Sequence, residues 1–147
     1  MTFKLMMSLV SESQEGEIGD DWSYRLEAKV FHGGLRADAV IEVPKHTLPS
    51  GEVRAPHGDP APVELFHGEC DGPLQVRLLL TATEVDTFVN DVGQVSKDVS
   101  IECPPPSDHP LVREIDVSAG VRESPGIRNL NAVFTLRLRF TLTRDRG

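Results

Sequence analysis

Residues 133–143 read VFTLRLRFTLT, so that Phe134, Leu136, Leu138, Phe140 and Leu142 alternate with Thr135, Arg137, Arg139, Thr141 and Thr143. A period of two sends successive side chains to opposite faces of an extended strand, whereas a helical period would scatter the arginines among the leucines. One face of this segment is dry and the other wet. The same period recurs along most of the chain, which restricts it to antiparallel β architecture.

Met1, Phe3, Leu5, Met7 and Leu9 form the first such stripe, so the amino-terminal residues read as a strand and not as a leader. Trp22, Tyr24, Leu26, Ala28 and Val30 form the second, with Ser23, Arg25, Glu27 and Lys29 opposite. His32-Gly33-Gly34 makes a tight connection to a third stripe, Leu35, Ala37, Ala39, Ile41 and Val43, and the two strands should pair as a hairpin. Residues 44–62 carry five prolines, which lack a ladder donor, and read as a long surface crossover. Further strands are expected over 63–67, over Leu74, Val76, Leu78, Leu80 and Ala82, over 97–103 and over 111–117. Strands with one apolar face each need a second sheet to cover it. The expectation is therefore an all-β, Greek-key-like, two-sheet antiparallel sandwich of about eight strands forming one domain over residues 1–147, with a small barrel as the rival.

Charge narrows the partners. With 23 acids against 15 bases the chain carries a net charge of −8, which repels nucleic-acid backbones and bare anionic bilayers. Six arginines, Arg122, Arg128, Arg137, Arg139, Arg144 and Arg146, make the carboxyl-terminal stretch locally basic; Arg137 and Arg139, with threonines beside them, read as a solvated strand face, the alternative being that with Arg144 and Arg146 they receive an acidic partner or a phosphate. Two cysteines, Cys70 and Cys103, are too few for a disulfide framework, so free thiols and a cytoplasmic location are expected. No apolar run reaches the length of a membrane span. The five histidines show no zinc-ligand spacing, and no G-x-S-x-G elbow occurs.

The acids carry the one constellation with chemical potential. Glu12, Glu15, Glu17, Asp20 and Asp21 follow one another with no base between Ser11 and Tyr24, and Glu84, Asp86 and Asp91 are spaced after the long strand that begins at Leu74. Clustered carboxylates repel unless a cation or solvent separates them, and calcium takes six to eight oxygen donors in flexible geometry. The plain alternative is a solvated rim, which charge runs ordinarily are. A second alternative makes 83–92 a short helix, with Val85, Phe88, Val89 and Val92 on one face, and this would turn Asp86 away from Glu84 and Asp91. Trp22 and Tyr24 continue an apolar stripe and read as core.

Asp20-Asp21-Trp22-Ser23-Tyr24 before a strand, followed about 65 residues later by Glu84-x-Asp86-x-x-x-x-Asp91-x-Gly93 after a strand, resembles the calcium- and phospholipid-binding sandwich domains of protein kinase C and synaptotagmin. The resemblance spans two loops and their strands. It departs from the family at Asp-Asp-Trp-Ser-Tyr, where Asp-Pro-Tyr is usual, at Glu84, where aspartate is typical, and in the long 44–62 crossover. It implies Asp20, Asp21, Glu84, Asp86 and Asp91 as ligands for calcium, with an anionic lipid or a protein as the partner bridged by the ion. The functional expectation is a noncatalytic binding or assembly module. Its rivals are a ligand-free structural or oligomeric subunit and a metal-dependent hydrolase.

Overall fold

The computed structural model describes residues 1–87, 89–123 and 130–145. Phe88, Arg128, Arg146 and the side chain of Leu35 lie outside the described residues. Nine strands are present among them: β1 (Thr2–Gly16), β2 (Asp21–His32), β3 (Leu35–Thr47), β4 (Val53–Arg54), β5 (Val63–Gly68), β6 (Leu74–Glu84), β7 (Asp91–Ile101), β8 (Leu111–Arg122) and β9 (Asn131–Asp145). One sheet runs β4-β1-β9-β8, with β5 also pairing with β1, and the other runs β3-β2-β6-β7. Every pairing is antiparallel. This is the two-sheet sandwich that the alternation requires.

Between the sheets lies one apolar cluster, into which β9 sends Phe134, Leu136, Leu138, Phe140 and Leu142 while β2 and β6 send Trp22, Leu26, Leu78 and Leu80. Phe134 meets the rings of Trp22 at 5.4 Å and of Tyr24 at 5.1 Å, which ties the two sheets together at one end. On the outer face of β9 the arginines find acids one strand away. Arg137 donates to Asp116 at 2.9 Å and Arg139 to Glu114 at 2.9 Å, both from β8. The arginine hydrogen bond, followed by the arginine charge, lowers the Asp116 carboxyl below its ordinary range. These exposed pairs fix little free energy. Where the sheet edges approach, Lys97 on β7 donates to the carbonyl of Asp116 at 2.8 Å and Arg113 on β8 to that of Ser100 at 2.7 Å, so cationic side chains occupy edge acceptors.

Four expectations require correction. First, β7 begins at Asp91 rather than at residue 97, because its inward positions open with Asp91 and Gly93, and neither advertises a buried face. A Cβ on Gly93 would stand 2.3 Å from the carbonyl oxygen of Gly120, so only glycine admits this approach of β7 to β8. Second, the described residues of 83–92, which leave out Phe88, form no helix: Glu84 ends β6 and Asp91 opens β7 directly opposite it. Third, residues 44–62 are the mostly exposed crossover expected, but their prolines do not keep them out of every ladder. β3 continues through Pro44 to Thr47, β4 pairs with β1, and Leu48 and Pro56 are buried.

Fourth, Cys70 and Cys103 are joined as a disulfide, with Cα atoms 6.0 Å apart. The register of β6 on β7, Leu74 against Ile101, carries the flanking segments to the same end of the sheet. The 33-residue separation in sequence hides this. The argument from free thiols to a reducing compartment falls with the correction.

Candidate functional site

Asp20, Asp21, Glu84, Asp86 and Asp91 meet at one end of the sandwich. Glu84 is the last residue of β6 and pairs across the sheet with Asp91 on one side and Trp22 on the other. Its neighbour Val85 donates its amide to the carbonyl of Asp21 at 2.7 Å, which draws the β6–β7 turn against the start of β2. The turn after Glu84 folds on itself: Asn90 accepts from the amide of Asp86 at 3.2 Å, and the Asp86 carboxylate accepts from Thr87 at 2.6 Å. Asp20 and Asp86 are exposed and Asp21 half-buried, whereas Glu84 and Asp91 point inward.

Glu84 is the centre of this pole. It is 4% exposed, and its Oε2 is buried without a hydrogen-bond partner. Gly19 lies over it with φ +147°, and a Cβ there would fall 2.2 Å from Oε1. The backbone conformation at this position favours glycine. Burial raises the Glu84 pKa first, and the charges of Asp86, Asp91, Asp21 and Asp20 raise it further, to about 7. The other four sequence-predicted acids thus all act on Glu84. Among the described residues, however, no group of three or more His, Cys, Asp or Glu side chains is arranged to hold a metal ion as it stands. The donor chemistry fits a hard cation at the orphaned Oε2, but a complete coordination shell would require the exposed aspartates to turn inward.

The loop bearing Asp20 is held from below. Gly19 O accepts from Gln14 Nε2 at 3.2 Å and from Trp22 Nε1 at 3.0 Å, and Leu48 N donates to Asp20 O at 2.7 Å. Gln14 Nε2 also reaches Leu48 O at 2.9 Å. Trp22, read as core from its stripe, therefore also positions the acidic loop.

A second polar cluster escapes the sequence reading. Glu12 belongs with its acidic neighbours in sequence, yet it is 1% exposed and lies within β1. Its Oε1 accepts from Tyr24 Oη at 3.0 Å and from the His57 amide at 2.6 Å, and its Oε2 meets His46 Nε2. His46 Nδ1 stands 2.8 Å from Pro44 O, and the His57 ring stacks on His46 with centroids 4.3 Å apart. Burial, and then the Glu12 charge, raises the Tyr24 pKa above the usual phenol range. The hidden signal was phase. β1 slips register between Leu9 and Ser11, so that Glu12 and Gln14 inherit the inward positions that Leu5 and Met7 held before the bulge.

At the opposite end a cavity of about 940 Å3 opens between Phe3, His32, Cys70, Pro104 and Arg144. Arg144 is engaged there with Asp108 at 3.0 Å, and His32 stands 3.4 Å from Asp71. No helix among the described residues is long and apolar enough to cross a membrane. The chain matches no protein-family model and no curated protein.

Proposed function

We propose that this chain is a noncatalytic binding or assembly module whose working end is the acidic pole of Asp20, Asp21, Glu84, Asp86 and Asp91. The observation that carries the reading is Glu84, a buried carboxylate with an unpartnered oxygen among four further acids. Such an oxygen costs free energy until a proton or a cation occupies it. Five carboxylates offer hard donors of the kind calcium accepts, and the β6–β7 turn is exposed enough to bring Asp86 inward. A bound ion with open positions would bridge to an anionic lipid or to a carboxylate-bearing protein. That bridge reconciles a net charge of −8 with an acidic target. The resemblance to the protein kinase C and synaptotagmin sandwich domains points to the same ion and the same partner class.

Calorimetric titration with calcium at about pH 6 and about pH 8 tests the reading. Because Glu84 must give up its proton to serve as a ligand, affinity should rise with pH and binding should release protons at the lower pH. Asp86→Asn and Asp91→Asn should each weaken binding at least about tenfold, the loss of one charged ligand. Silence at millimolar calcium, or binding that survives both substitutions, would leave the structural-subunit reading in its place.

A further inference from the structure

We propose that Cys70 is a site of reversible thiolation, at which an amine-bearing low-molecular-weight thiol attacks the Cys70–Cys103 disulfide from the cavity and stays bound to Cys70. The two sulfurs differ in their surroundings. Cys103 is 3% exposed and belongs to the apolar cluster between the sheets, whereas Cys70 is half-buried at the edge of that cluster and lines the cavity of about 940 Å3 with Phe3, His32, Pro104 and Arg144. Thiol–disulfide exchange requires the incoming thiolate to touch the sulfur it attacks, so access decides which sulfur takes the newcomer. The cavity gives that access to Cys70.

The step balances between the disulfide and one thiolate. A bond forms between the thiolate sulfur and Cys70 Sγ, the Sγ–Sγ bond breaks, and its electron pair leaves on Cys103 Sγ, which then takes up a proton. Cys103 is thereby reduced to a thiol, while the incoming sulfur and Cys70 share the new disulfide. Return attack by the Cys103 thiolate on Cys70 expels the small thiol and restores the original link. With Cα atoms 6.0 Å apart, the two residues stand at ordinary disulfide separation, so the return step needs no rearrangement of the fold.

Charge selects the class of thiol. Glu69 and Asp71 flank Cys70 in sequence, line the same cavity and project into water. The Met1 amine stands 3.8 Å from Glu69, His32 lies 3.4 Å from Asp71, and Arg144 is engaged by Asp108 at 3.0 Å. Three carboxylates thus face two fixed cations, in a chain whose net charge is −8. An ammonium on the thiol gains a carboxylate partner one residue from the sulfur, and a thiol that brings carboxylates of its own is repelled. The inference does not depend on cation binding at the pole.

Treatment of the wild-type protein with cysteamine in native buffer, followed by acid quenching and mass spectrometry, tests the access without any variant. The disulfide should open at a rate proportional to thiol concentration and flat in urea below the unfolding transition, since opening through global unfolding accelerates steeply with denaturant. A disulfide that stays closed, or that opens only as urea promotes unfolding, overturns the proposal. Single-cysteine variants locate the site from the other direction. With cystamine as the probe, Cys103→Ser should form the mixed disulfide at Cys70 at least about tenfold faster than Cys70→Ser forms it at Cys103. Comparable rates would show both sulfurs equally open and overturn the assignment to Cys70. Against Cys103→Ser, cystamine should outpace oxidised glutathione about threefold or more once each rate is divided by that with a free cysteine peptide. Glutathione reacting as fast on that scale overturns the choice of thiol class.

Discussion

Glu84 turns the acidic pole into a pH-dependent element of stability. Its folded pKa, about 7, lies above the ordinary 4.5, so folding favours the protonated form. The contribution is fully present below about pH 4.5 and is lost as the pH rises through about 7. A shift of that size corresponds to a ceiling of roughly 3 kcal/mol. Glu84→Gln preserves the neutral shape, so it should raise the urea midpoint at about pH 8, leave it nearly unchanged at about pH 4, and flatten the profile between them. A variant whose profile runs parallel to the wild type would show that other groups set the dependence. The five acids of the pole were legible in the sequence because they flank strands whose alternation fixes the loops. Glu12, His46 and His57 were not legible, since a buried carboxylate and a solvated one look alike until the strand's phase is known.

At the scale of elements, legibility followed the continuity of the apolar stripe. β9 carries no bulge and no inward polar residue along Phe134 to Leu142, so its register could be read directly. β1 was legible only to Leu9, where its register shifts against β9. β7 was cut short because its first inward positions are an acid and a glycine, and β4 is too brief to show a period. The register of β9 carries a sharp expectation. Leu138 is fully buried, facing Leu9 on one neighbour and Ile115 on the other, so Leu138→Ala should cost on the order of 2 to 5 kcal/mol. Arg139→Ala, next along the strand, loses an exposed pair with Glu114 and should cost less than about 1 kcal/mol. Chemical denaturation of the two variants side by side checks the phase, and a reversal of their order would place the leucines outward.

Across the whole molecule the two ends are held by different means. At the pole, backbone hydrogen bonds and the Gln14, Trp22 and Leu48 contacts bind the loops together. At the far end, the covalent link from Cys70 to Cys103 ties the connection between β5 and β6 to the segment following β7. Because β5 belongs to one sheet and β6 and β7 to the other, the disulfide braces the place where the chain passes between layers. Closing a loop of 33 residues restricts the unfolded chain by about 3 to 4 kcal/mol on the loop-entropy estimate. Reduction should therefore lower the Tm by roughly 10 °C. It should leave the sandwich folded, since the apolar cluster between the sheets does not depend on either sulfur. Calorimetry with and without reductant, with Cys70→Ser/Cys103→Ser as the reagent-free counterpart, measures the difference. The double variant and the reduced protein should melt together, below the oxidised protein. Coincident melting of all three would remove the link from the forces that hold this end, and leave β-sheet packing alone to join the layers.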